Sequence, residues 1–189
     1  MKISSVACAM LRGALLLSIA CTLSLPVAAA GPGKAAIATA SHYATDAGFE
    51  VIAKGGNAFD AAIAVSATLS VVEPQSSGIG GGGFFLLHRA SDGEEIMLDA
   101  RETAPAAANT SVYMKADGSA DRDKSINGPL SAAIPGEPAG LVWLAQHYGK
   151  LTLAKLLAPA IRIAREGFAV DKRFVDEVRY RKPIFERYP

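Results

Sequence analysis

The sequence predicts an α+β fold in which helices flank a β-hairpin. Two observations carry this. Apolar residues recur at helical spacing upstream of residue 73 and again downstream of residue 138. Between them, Phe84–His88 and Glu95–Asp99 read as strands joined by a loop centred on Asp92-Gly93, a pair that suits turns needing positive φ. The chain has 189 residues, enough for a sizeable core, and 50% of them are hydrophobic, which argues against disorder. A formal net charge of +1 gives no basis for binding nucleic acid.

Residues 1–30 stand apart. Lys2 and Arg12 precede the apolar run Gly13–Leu25, and Pro26-Val27-Ala28-Ala29-Ala30 follows. A positive start, a short apolar run and a small-residue ending describe a secretory signal peptide. Cleavage is expected after Ala30, with Ala29 as the alternative. The run is shorter than the about 20 residues of a spanning helix. Both cysteines, Cys8 and Cys21, fall within it, so no disulfide is expected in residues 31–189. Removing Lys2 and Arg12 from the 19 basic residues leaves 17 against 18 acidic ones.

From residue 31 the elements follow in order. Ala35–Ala40 is small and apolar and reads as a buried strand. Ser41 is placed to cap a helix over Tyr43–Lys54, where Tyr43, Ala44, Ala47, Val51 and Ile52 share a face. Gly55-Gly56 stops it. Asn57, with Asp60 three residues on, forms a near capping box for a second helix. That helix, Ala58–Val72, has almost no polar face and is therefore a core helix. Pro74 ends it by disfavouring helical geometry at Glu73.

Gly78-Ile79-Gly80-Gly81-Gly82-Gly83 formally matches a dinucleotide-binding fingerprint. That motif needs a strand before it and a helix after it. Here the order is reversed, so nucleotide binding is rejected. The glycines instead serve a sharp turn and close backbone approach, either as packing alone or as the lining of a pocket. The second strand then delivers Asp99, Ala100 and Arg101 to its end.

Residues 116–128 read as a polar surface loop, and Leu130–Ile134 as a short strand closed by Pro135-Gly136. Pro138 suits the first turn of a helix running to Tyr148 and stopped by Gly149. Thr152 caps the next helical stretch. Pro159 inside it predicts a kink or a restart, and Gly167 ends it. Asp171 caps a last, highly charged helix.

Candidate chemistry is sparse. His42, His88 and His147 are isolated and no metal-ligand spacing occurs, so neither a metal nor a cofactor is expected. No nucleophile elbow surrounds Ser76-Ser77. Arg101, between Asp99 and Glu102, is the candidate binding residue. Its guanidinium is a planar fork able to hold a carboxylate with two parallel hydrogen bonds. The competing reading is an ion-paired structural cluster with both acids ionised.

The stretches EPQSSGIGGGGFFLLHRA and LDARETAP resemble the gamma-glutamyltransferases (gamma-glutamyltranspeptidases, glutathione hydrolases). ASHYATDAGFEVIAKGGNAFDAAIAVSATLSVVEPQSSG upstream, and SAAIPGEPAGLVWLAQHYGKL and LAPAIRIAREGFAV downstream, are similar to the same family. The likeness covers about residues 35–175. It implies an N-terminal-nucleophile hydrolase fold, a four-layer α-β-β-α sandwich, here incomplete. It implies a precursor that cuts itself into a large and a small subunit. The threonine exposed at the small subunit's N-terminus is then the nucleophile, with its own α-amine as base.

The implied reaction takes the gamma-glutamyl group of glutathione or a related amide as an acyl-enzyme and passes it to water, an amino acid or a peptide. Arg101 occupies the position that binds the substrate's α-carboxylate, with Ala100 where a glycine or aromatic residue is often seen. None of Thr22, Thr39, Thr45, Thr68, Thr103, Thr110 and Thr152 lies in the nucleophile's context. Residues 31–189 are thus expected to be the N-terminal part of the large subunit, with no catalytic residue of its own, inactive alone and partnered by the small subunit. The expected location is periplasmic or secreted. The alternatives are a glutaryl or beta-lactam acylase of the same superfamily, and a non-catalytic truncated product.

Overall fold

A computed structural model describes residues 34–188. The signal peptide expected over residues 1–30, with both cysteines, lies outside the described residues.

Helix α1, His42–Ala53, buries Ala44, Ala47, Gly48 and Val51, a single stripe at helical spacing. Gly48 brings it close to its neighbours: a Cβ there would lie 2.7 Å from Ile37 Cδ1 and 3.0 Å from Val65 Cγ2. Lys54 closes the helix and Gly55 follows at φ 90°, a conformation costly for any residue with a Cβ.

Helix α2, Ala58–Val72, begins with a complete capping box. The Asn57 side chain accepts from the Asp60 backbone N–H at 2.9 Å, and the Asp60 carboxylate accepts from the Asn57 N–H at 2.9 Å. Such caps contribute about 0.5–2 kcal/mol. Ile63 and Ala64 are fully buried.

Strands β1 (Gly83–Arg89) and β2 (Glu94–Ala100) form an antiparallel hairpin, with Gly83 opposite Ala100 and Arg89 opposite Glu94. Gly93 at φ 75° makes the turn. Because side chains alternate, Phe85, Leu87, Ile96 and Leu98 face the helices. Phe84, Leu86 and Met97 lie exposed on the outer face.

A short helix α3, Arg122–Ile126, and a 3₁₀ turn, Pro129–Ser131, lead to α4, Glu137–Tyr148. Then come α5, Leu153–Glu166, and α6, Lys172–Arg187. The core gathers Val51, Ile63, Ala64, Leu87, Leu141, Leu144 and Leu156, one contribution or more from α1, α2, β1, α4 and α5. Burying each large aliphatic side chain contributes about 1.5–3 kcal/mol.

Several expectations are corrected. Residues 35–40 form no strand and are largely exposed, because no strand among the described residues pairs with them. Residues 116–128 contain α3, whose N-cap Asp121 accepts from the Lys124 N–H. The segment 130–134 pairs with Thr103 only at Ile134, an isolated bridge. Ser41 and Thr152 stand at the cap positions, but neither side chain makes a cap bond. Beside the first, the Thr39 hydroxyl donates to the Ser41 carbonyl at 2.6 Å. Of the two outcomes expected at Pro159, the restart does not occur: one helix runs through, and Pro159 is buried.

Candidate functional site

The candidate site is built where β2 ends. Asp99 faces outward, opposite Phe84, and its carboxylate accepts the backbone N–H of Arg101 at 2.9 Å. This side chain–backbone bond turns the chain as it leaves the strand. The Arg101 side chain is 59% exposed. Its Nε lies 3.0 Å from Glu102 Oε2, and its guanidinium sits 5.9 Å from the Phe84 ring centroid. The expected two-acid cluster is therefore halved. Glu102 pairs with the guanidinium, whereas Asp99 bonds the backbone.

Three glycines hold this turn by what they lack. A Cβ on Gly82 would lie 2.8 Å from the Glu102 nitrogen and 2.9 Å from the Arg101 carbonyl carbon. One on Gly136 would overlap the carbonyl oxygens of Ala100 and Arg101, and one on Gly140 would lie 2.6 Å from Ala100 Cβ. The Gly81 carbonyl accepts the N–H groups of both Gly136 and Glu137 at 3.1 Å. The glycine block, the end of β2 and the start of α4 are thus in backbone contact.

Beside the turn lies a cleft of about 310 Å³. Ser66 and Ser70 from α2, Ser76 and Ser77, the glycine block, Phe84, Phe85, Glu102 and Glu137 line it. Arg101 is joined to this lining through Glu102. Glu137 is buried at 7% exposure, and its carboxylate accepts a hydrogen bond from the Ser66 hydroxyl. Glu102 Oε2 is buried without an aligned hydrogen-bond donor, despite the nearby Arg101 Nε. The arrangement offers an exposed cation next to two residues of a polar cleft's lining, Glu102 and Phe84, with no hydrogen bond to its terminal N–H groups among the described residues, and is suited to an anionic ligand group.

The histidines have local partners. His42 packs on Tyr43 with the rings tilted by 35°, His88 Nδ1 is 2.6 Å from Glu95 Oε1, and His147 stacks on Trp143. Among the described residues, no group of three or more His, Cys, Asp or Glu is placed to hold a metal ion. The glycine block follows α2 and precedes β1, the order that argued against nucleotide binding. Sequence reasoning passed over Glu137 and Ser66. Pro135-Gly136-Glu137-Pro138 was legible only as a helix start, and Ser66 as one small residue of an apolar helix.

Comparisons with known proteins agree with this picture. A family model described as Gamma-glutamyltranspeptidase matches residues 44–189. The chain is 41% identical over 140 residues to a glutathione hydrolase proenzyme of Pseudomonas sp. (strain A14), covering 74% of this chain and 24% of that protein. The chain therefore spans about a quarter of that relative's length. The gamma-glutamyltranspeptidase of Pseudomonas nitroreducens superposes with a TM-score of 0.78 at 37% identity, over 82% of this chain and 46% of that one. A cephalosporin acylase from Bacillus halodurans superposes with a TM-score of 0.64 at 29% identity, over 87% of this chain and 31% of that one. The described helices and hairpin are part of the N-terminal-nucleophile hydrolase fold. By sequence and by fold, the chain belongs to the gamma-glutamyltranspeptidase family.

Proposed function

We propose that this chain supplies the substrate-anchoring part of an enzyme that transfers gamma-glutamyl groups. The carrying observation is Arg101: an exposed guanidinium just past the end of β2, ion-paired through Nε with Glu102, beside a polar cleft. With Nε turned to Glu102, the terminal N–H groups remain to grip the α-carboxylate of a gamma-glutamyl substrate such as glutathione. Residues 31–189 are the front of the large subunit, and residues 1–30 are a secretory signal that directs the protein to the periplasm or outside the cell. The nucleophile is a threonine of the small subunit, exposed by self-cleavage of a common precursor, so the segment is inactive alone. Transfer runs through a threonine acyl-enzyme to water, an amino acid or a peptide. The chemistry requires no cofactor.

The test is Arg101→Ala in the precursor that carries this segment. Losing a charge-assisted, two-bonded contact raises KM for a gamma-glutamyl anilide by the equivalent of about 2–5 kcal/mol. Unchanged kinetics exclude Arg101 as the anchor.

Likeness to the cephalosporin acylase supports a second reading, an acylase acting on glutaryl-type side chains. A glutaryl group keeps the distal carboxylate that Arg101 would hold but lacks the α-amine. Hydrolysis of glutaryl anilide in preference to gamma-glutamyl anilide favours the acylase; the reverse favours the transferase.

A further inference from the structure

We infer that Gly82 and Gly136 are positioning residues for Arg101, and that Glu137 and Ser66 lock them in place. The inference rests on the reading of Arg101 as the carboxylate anchor. A guanidinium fork discriminates only when its backbone origin is fixed, because a displacement of about 1 Å at a binding group can cost on the order of 100-fold. Arg101 lies between the end of the β2 ladder at Ala100 and the isolated Thr103–Ile134 bridge, and is itself paired in neither, so β-pairing holds its flanks but not the residue. Its side chain is exposed, so burial does not fix it either.

What holds it is backbone contact. Gly82 packs on the peptide units between Ala100 and Glu102, and Gly136 packs on the carbonyls of Ala100 and Arg101. Neither glycine has a positive φ. Their requirement is for space and not for a conformation closed to other residues. Any side chain at either position displaces the segment that carries Arg101.

The two glycines belong to one unit. The Gly81 carbonyl takes the N–H groups of Gly136 and Glu137 at 3.1 Å, joining the glycine block to the start of α4. The buried Glu137 carboxylate accepts from Ser66, anchoring that start to α2 in the core. The position of Arg101 is thereby referred back to α2 through Ser66, Glu137, Gly136 and the Arg101 carbonyl.

The experiment compares kcat/KM for gamma-glutamyl anilide and 4-aminobutyryl anilide, which lacks the α-carboxylate, in the processed enzyme. Arg101→Ala sets the reference by collapsing the preference for the gamma-glutamyl substrate. Gly136→Ala and Gly82→Ala are expected to lower the same preference by about 10- to 100-fold. A merely structural role lowers activity on both substrates together and leaves the preference intact; that outcome overturns the inference. If the glycine variants do not fold, Ser66→Ala, which adds no bulk, carries the test. It is expected to reduce the preference by about threefold to tenfold, and an unchanged preference there overturns the inference. If Arg101→Ala itself leaves the preference unchanged, the anchor reading fails and the inference with it.

Discussion

Asp60 and Glu102 are both carboxylates set beside a turn of the chain, and the fold treats them in opposite ways. Asp60 has no exposure, and backbone N–H groups meet both its oxygens: Asn57 at 2.9 Å, Lys150 at 3.0 and 3.1 Å, and Leu151 at 3.4 Å. One side chain therefore caps α2 and ties it to the turn between α4 and α5. Glu102 has a buried oxygen with no aligned donor and faces an exposed guanidinium and a cleft. A carboxylate whose bonds are all made inside the protein stabilises the fold. One with unspent acceptor capacity beside an exposed cation is suited to a binding site, where local satisfaction gives way to a ligand.

The largest expected effect tests the first half of that contrast. Asp60→Ala removes the shared acceptor of the Asn57, Lys150 and Leu151 N–H groups and empties a fully buried position, and is expected to cost about 3–5 kcal/mol. Thermal denaturation of the precursor checks this, and a melting temperature within a degree or two of the parent would break the comparison. Asp60→Asn keeps the shape and one accepting oxygen but turns an NH2 donor toward a backbone N–H, so a smaller loss of about 1–3 kcal/mol is expected.

Glu102→Gln tests the other half. Stability is expected to change by no more than about 0.5 kcal/mol. Arg101 loses its charged partner, so KM for a gamma-glutamyl anilide is expected to rise about tenfold as the guanidinium is no longer oriented by the ion pair. A variant that melts far below the parent would place Glu102 with Asp60 among the structural staples.

The smallest effect is on the surface. Glu50 of α1 bonds Arg162 of α5 at 2.6 Å and Lys54 at the C-terminal end of α1. The Arg162 hydrogen bond first, then that of Lys54, lowers its pKa from 4.5 to about 2. A depressed carboxylate pKa contributes stability that is present above pH 4.5 and lost as pH falls toward 2. Arg162→Ala is expected to flatten that part of the acid-stability profile by well under 1 kcal/mol, since the pair is partly exposed. An effect matching that of Asp60→Ala would show that exposure does not separate the two kinds of carboxylate.

The elements legible in the sequence are those specified by adjacent residues. Helix α2 runs over Ala58–Val72 as read, because its capping box and the terminating Glu73-Pro74 pair lie within one chain segment. The Asp92-Gly93 turn and the stop at Gly55 are likewise matters of local backbone conformation. The readings that failed, strands at 35–40 and 130–134, concern elements that exist only through a partner. A strand is satisfied by its neighbour's N–H and C=O groups, and no local pattern shows whether that neighbour is there.

The site divides in the same way. The sequence by itself determined the α+β class, the glycine block, the position of Arg101 between two acids, and the resemblance that points to the family. Only the tertiary structure decided that Glu102 and not Asp99 faces the guanidinium, that Gly136 meets the turn carrying Arg101, and that Glu137 and Ser66 meet across 71 residues of sequence. The reason is physical. Helix periods, caps and turn glycines act over a few bonds, whereas burial, ion pairing and close backbone approach depend on what the folded chain brings alongside.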